Sequence, residues 1–361
     1  MNRWIEGWRI AGTVAVCAVA LGACSQKPAA TQQAAAPAAA PAEKEYVIGW
    51  TIYAGWMPWP YAQQAGIVQK WADKYHVKIK LIQINDYVES LNQFTAGKLD
   101  GVVSTNMDGL TIPAAGGKDT SVIIVGDYSN GNDGIILKDK SKLADIKGQS
   151  VNLVENSVSH YLLGRGLEKA GLKMADVKTV NTSDADIVAA YAAPTTTALV
   201  TWNPQLSEVK KQAGAHEVFD SSQIPGEILD LMVLDTKEVQ ANPALAKALT
   251  GIWYETLSIM HKDDAQGKAA REIMAKLSGT DLPGYDSQLK TTFLYYDPVK
   301  AVAYTDSPEA VAANDRVRKF SFARACSARA PSRWTPSASP SPAARSWAIR
   351  TTSSCASTTP T

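Results

Sequence analysis

Apolar and polar positions along this chain follow two alternating periods. Short runs rich in β-branched residues recur at residues 77–84 (VKIKLIQI), 101–105 (GVVST), 120–125 (TSVIIV), 177–180 and 198–201. Runs of this length bounded by turn residues predict strands. Between them the apolar residues are three and four apart, which predicts helices. Asp86 and Glu89 have capping-box spacing, with Leu91 and Phe94 facing inward and Gly97 as the stop. A helix is predicted over 158–170, ended by Gly171, and a long one from Asn242-Pro243 to Met260. Regular alternation of strand and helix implies parallel-rich sheets with helices on both faces, an α/β fold.

Two polar stretches interrupt this rhythm. Residues 126–134 (GDYSNGNDG) read as a flexible joint where the chain first crosses to a second lobe. It leaves that lobe near 221–226, and 231–234 reads as a strand returning to the first. The expected division is lobe I at 45–128, lobe II at 129–224, and a return with C-terminal helices at 225–322.

The densest aromatic stretch is 49–61 (GWTIYAGWMPWPY). Its start reads as a strand end. Gly55, Pro58 and Pro60 then forbid continuation, and a helix is predicted over 61–75 with Pro60 at its first position. In an open α/β sheet, the loop at a strand's carboxyl end is where ligands bind. Tyr53, Trp56, Trp59 and Tyr61 are therefore candidates to box a small planar or cationic group. The competing explanation for any one of these rings is core packing.

The chain's two ends alter the picture. Arg3 and Arg9 precede an apolar run over 10–21, the pattern of a secretory signal over residues 1–23. Leu21-Gly22-Ala23-Cys24 resembles a bacterial lipobox, which makes Cys24 the expected lipidation site, and Ser25 is not the usual inner-membrane retention residue. Residues 24–44 are rich in Ala, Pro and Gln and read as a flexible tether. The protein is thus expected to be exported and held at a membrane in the periplasm or at the cell surface. Residues 323–361 contain no Lys, Asp or Glu but abundant Arg, Ala, Ser and Pro, which is what a GC-rich gene yields out of frame. This tail is expected to be disordered and the product of a frameshift; the rival reading is a basic tail that touches anionic lipid.

Formal charge is near balance, 36 basic against 35 acidic residues; setting aside the seven basic and one acidic residue of the signal and tail leaves the body at −5. A mildly acidic body without a basic stripe argues against nucleic acid as a partner. Cys17, Cys24, Cys326 and Cys355 all lie outside the folded body, so no disulfide framework or cysteine metal site is expected. His76, His160, His216 and His261 form no local metal pair. No Gly-x-Ser-x-Gly, His-Glu-x-x-His or phosphate loop is present. The chain reads as a non-enzyme without metal or cofactor.

The lipobox, the first-lobe rhythm, LADIKGQSVNL, SHYLLGRGLEKAGL and LVTWNPQLSEV resemble the substrate-binding proteins of nitrate, sulfonate and taurine type ABC importers, over about residues 45–322. GWTIYAGWMPWPYA, TNMDG and VTWNPQLSE are similar to the branch found beside urea carboxylase genes, whose members are labelled urea-binding and for which guanidinium is a second ligand candidate. The resemblance implies a two-lobed periplasmic-binding-protein fold of type II character. It also implies a small-molecule solute, an ABC permease with its ATPase as partners, and a monomer. Nitrate, taurine and sulfonate remain alternative solutes, and a sensory lipoprotein an alternative role. Loop position adds Asp108 and Glu155 as one carboxylate from each lobe, which would pair with a guanidinium. The plainer reading is that each stabilises a helix N-terminus, worth about 0.3–1 kcal/mol. Trp202 would add a ring face, and Asn106, Asn156 and Asn203 could orient either ligand.

Overall fold

The computed structural model describes residues 44–328. The expected signal, Cys24, the tether up to residue 43 and the tail beyond Ala328 lie outside them. Among the described residues the strands are β1 (Glu45–Trp50), β2 (Lys78–Gln83), β3 (Gly101–Thr105), β4 (Thr120–Ser129), β5 (Asp133–Lys138), β6 (Ser150–Leu153), β7 (Lys178–Asn181), β8 (Ala198–Trp202), β9 (Ala215–Asp220), β10 (Leu229–Asp235) and β11 (Thr292–Leu294). They form two sheets, ordered β11-β4-β10-β3-β1-β2 and β7-β6-β8-β5-β9.

Each sheet combines a parallel half with strands contributed by the crossings. In the first, β1 runs parallel to β2 and β3, while β10 inserts antiparallel between β3 and β4. In the second, β6 runs parallel to β7 and β8, and β5 lies antiparallel to β8 and β9. The chain passes to the second sheet between Ser129 and Asp133 and returns between Asp220 and Leu229. Residues 126–134 are not a loose joint: β4 runs through them to Ser129, and Ser129, Asn132 and Asp133 are buried. Ser221 Oγ lies 2.6 Å from Ser129 Oγ, accepts from Gly131 N at 2.8 Å and so ties the two crossings together.

Helix boundaries follow local chemistry. Asp86 accepts from Glu89 N at 2.7 Å, while the Glu89 carboxylate is taken by Gln93. Gly97 and Gly171 follow their helices at φ +76° and +69°, a conformation that costs glycine nothing. The helix expected over 61–75 is two, Pro58–Gln64 and Ile67–Tyr75. Pro58 is the first helical residue, and Gly66 at φ +75° separates the pair.

The long helix Pro243–Met260 buries Leu245, Leu249, Ile252 and Trp253 in the first core. It crosses Ile67–Tyr75 closely, since a Cβ on Gly251 would sit 2.3 Å from the Trp71 ring. The helix opened by Pro308 continues to Ala328, past Phe322, where order was expected to end. It spans both sheets: Asn106 Nδ2, at the end of β3, donates to Asn314 Oδ1, whereas Val317 is buried in the second core and the Phe320 ring stands 5.3 Å from Tyr161. No helix among the described residues is long and apolar enough to cross a membrane.

Candidate functional site

Between the sheets lies a cleft of about 310 Å³, counting the part open to solvent. Its walls carry four aromatic rings in sequence. Tyr53 meets Trp56 edge-on at 5.0 Å, Trp56 lies 5.7 Å from Tyr87, and Tyr87 meets Trp202 edge-on at 5.9 Å. Thr105, Asn132, Val158, Ile228 and two carboxylates, Asp133 and Asp230, complete the lining. No lysine, arginine or histidine is among these lining residues. The Trp56 Nε1, both polar side-chain atoms of Asn132 and Asp133 Oδ1 have no hydrogen-bond partner among the described residues. Buried polar atoms are almost always paired, so this cluster is equipped to receive a ligand's donors and acceptors.

The fold sets each group from behind. Tyr53 OH donates to Asp127 Oδ1 at 2.9 Å, and the loop reaches that contact because residue 55 is glycine: a Cβ there would lie 2.5 Å from Asp127 Oδ2. Tyr87 OH donates to Asp108 Oδ2 at 2.7 Å and accepts from Thr105 N at 3.0 Å, which holds the ring between Trp56 and Trp202. Ser129 Oγ donates to Asp133 Oδ2 at 2.5 Å, leaving the other oxygen of Asp133 for the cleft. The rim is bridged where Thr111 Oγ1 donates to Asn156 O at 2.8 Å.

Electrostatically the site is a concentration of buried carboxyls. Burial pushes Asp108 and Asp127 up to about 7 and Asp133 up to about 6. Asp230 rises well above the carboxylate range, from burial first and then from the Asp127 charge. Low dielectric penalises the ionised form, and a like charge adds to the penalty. Such a wall is held ionised best by a cation in the cleft.

Of the ten residues singled out from sequence, Tyr53, Trp56 and Trp202 line the cleft. Asp108 stands behind it, bonded to Tyr87 and Thr105. Glu155 is not among the lining residues: Thr179 Oγ1, on the end strand β7, donates to it at 2.5 Å. Trp59 packs on Trp253 at 5.2 Å and Tyr61 is buried with the first core, so neither lines the cleft. Asn106 fastens the end of β3 to the second crossing through Glu227 O and Leu229 N. Asn156 takes a left-handed conformation and donates its backbone N–H to His160 Nδ1, while Asn203 accepts from Ser207. Sequence reasoning missed Tyr87, Asn132, Asp133 and Asp230. Asp230 left a signal, a lone charge in the apolar strand LDLMVL; Asn132 and Asp133 were hidden in what read as a joint.

Two α/β sheets joined by two crossings, with a cleft between them, define the periplasmic-binding-protein fold. The alkanesulfonate-binding protein of Xanthomonas axonopodis pv. citri, solved with MOPS, superposes with a TM-score of 0.66 at 18% identity, covering 79% of this chain and 94% of that one. The periplasmic aliphatic sulphonate binding protein of Escherichia coli gives 0.63 at 20%, covering 78% and 88%. The periplasmic nitrate-binding protein of Synechocystis PCC 6803 gives 0.57 at 12%, covering 80% and 90%. The chain belongs to the NMT1-like family, whose model matches residues 40–277. A protein of Escherichia coli (strain K12), provisionally named as aliphatic sulfonates-binding, is 30% identical over 152 residues, 41% of this chain and 45% of that one. A provisionally named binding protein of Brucella abortus (strain 2308) is 26% identical over 200 residues, 54% and 60%. The chain thus spans about half the length of the curated relatives it matches.

Proposed function

We propose that this protein is the exported solute-binding component of an ABC-type importer. Its cleft captures a small, planar, nitrogen-rich solute, guanidinium or urea, and delivers it to the membrane permease and its ATPase. The observation that carries this reading is the lining: four rings and two carboxylates, with no basic side chain. Nitrate or a sulfonate would bring a further negative charge against Asp133 and Asp230, which costs several kcal/mol without a compensating cation. A planar N–H donor matches both the carboxylates and the ring faces, each cation–π contact adding about 0.5–2 kcal/mol when desolvated. Lipidation at Cys24 would keep the monomeric receptor beside its permease.

Calorimetric titration with guanidinium, urea, nitrate and taurine tests the assignment. Binding of guanidinium or urea, with nitrate and taurine silent, is the expected result. Tight binding of nitrate or taurine alone overturns it.

A further inference from the structure

Asp127 and Asp230 are direct cross-strand partners in the β4–β10 ladder, and both are buried. Side chains so paired stand about 5 Å apart on one face, where two like charges repel. The titratable groups acting on the pair are Tyr53 from the aromatic loop, Asp133 from the start of β5, and Tyr285, Tyr295 and Tyr296 from the segments beside β11. None of these is a cation. Arg271, beyond Tyr285 and Tyr296, is bonded to Asp286 at 2.9 Å. Asp230 reaches the cleft surface, and Asp127 stands behind it against Tyr53. Among the described residues no group of three His, Cys, Asp or Glu is gathered to hold a metal ion. The four rings suit an organic cation instead.

Resting on the reading of the cleft given above, we propose that its solute is a monocation, which binds by taking the place of a proton held between Asp127 and Asp230. The exchange balances: one carboxylic O–H of the pair ionises to solvent, and the carboxylate it leaves accepts N–H bonds from the entering cation. One positive charge leaves as one arrives, so the buried site does not gain net charge. That avoids the penalty of burying an uncompensated ion. Burial, which raises both carboxyls and puts Asp127 at about 7, keeps the exchangeable proton in place at mildly acidic pH.

The test is a pH-stat titration of the whole protein with guanidinium chloride at pH 6.0, with urea in parallel. Close to one proton should be released per guanidinium bound, and guanidinium affinity should fall about tenfold per pH unit below pH 6. Asp127→Asn, which removes one carboxyl of the pair but leaves Asp230 buried, should release clearly less proton per guanidinium bound than the wild-type protein. Guanidinium bound with no proton released by the wild-type protein overturns the proposal, as does release undiminished in Asp127→Asn. Urea bound in preference to guanidinium also overturns it while leaving the cleft reading intact. Nitrate or taurine bound in place of both would instead defeat the assignment of the cleft itself. The wild-type measurement decides even if the variant does not fold.

Discussion

Four aspartates stand at or behind the cleft wall, and their neighbours give them different tasks. Asp133 and Asp230 line the cleft, so on the function proposed here replacing either with Asn should weaken guanidinium binding by about 2 kcal/mol or more. Asp108 acts through the Tyr87 hydroxyl, and Asp108→Asn should cost nearer 1 kcal/mol. Glu155→Gln, at the Thr179 contact, should leave binding unchanged. One calorimetric series ranks all four; equal losses for Glu155→Gln and Asp230→Asn would refute the placement. The strand-end rule pointed to Tyr53, Trp56 and Trp202, which do line the cleft, because a bulky ring in a loop after a strand has few places to go. The same rule chose Asp108 and Glu155 but could not give their direction, since an acid can bond nearby hydroxyls, as Asp108 does with Tyr87 and Thr105 and Glu155 with Thr179, as readily as face a cleft.

The raised carboxyls also fix the sign of the pH dependence. Unfolded aspartate titrates near 3.9, and these groups titrate higher when folded, so the folded chain binds more protons between about pH 4 and 7. Their contribution to stability is present at the acid end of that window and is lost as pH rises through the folded values. The melting temperature of the solute-free protein should therefore fall between pH 5 and 7.5, and excess guanidinium should flatten the fall. A melting temperature that climbs across this window contradicts the electrostatic account.

At the level of elements, close approach explains two glycines whose roles differ. Gly55→Ala would drive a methyl into the Asp127 carboxylate and the Tyr53 ring, both 2.5 Å from the added Cβ. It should destabilise the chain by about 1–3 kcal/mol and abolish solute binding. Gly251→Ala crowds Trp71 at the helix crossing, so thermal melting should show a similar loss while solute affinity survives. Most elements were legible because their signals are local: Asn242-Pro243 opening its helix, Asp86 at its cap, glycines at φ near +70° closing others. The break at Gly66 was not, because an isolated glycine inside a helical pattern is usually tolerated. Nor were β9 and β11, whose pairing depends on strands distant in sequence.

Among the described residues, two crossings, buttoned by Ser129 and Ser221, join the sheets, and the helix Pro308–Ala328 spans them. The division into two lobes was readable in the polar gaps, but the reach of the helix was not, since nothing local in that helix says what it will span. Glu227, on the second crossing, gathers Tyr161 at 2.5 Å, Arg165 at 2.8 Å and Arg316 at 3.3 Å, so crossing, second lobe and helix meet at one carboxylate.

None of that helix lines the cleft, yet any parting of the lobes would require it to bend or let go. Phe320 is not itself a lining residue, and trimming it to alanine removes its grip on Tyr161 and Gly164. Stopped-flow measurement should then find guanidinium escaping several-fold faster, with its contacts in the shut cleft unaltered. On the proposed function, the rings and acids would govern how strongly a solute is held, while the strap behind them would govern how long it stays. If the protein is the receptor proposed here, its dwell time, and so how promptly it unloads, could be tuned from a segment its cargo never meets.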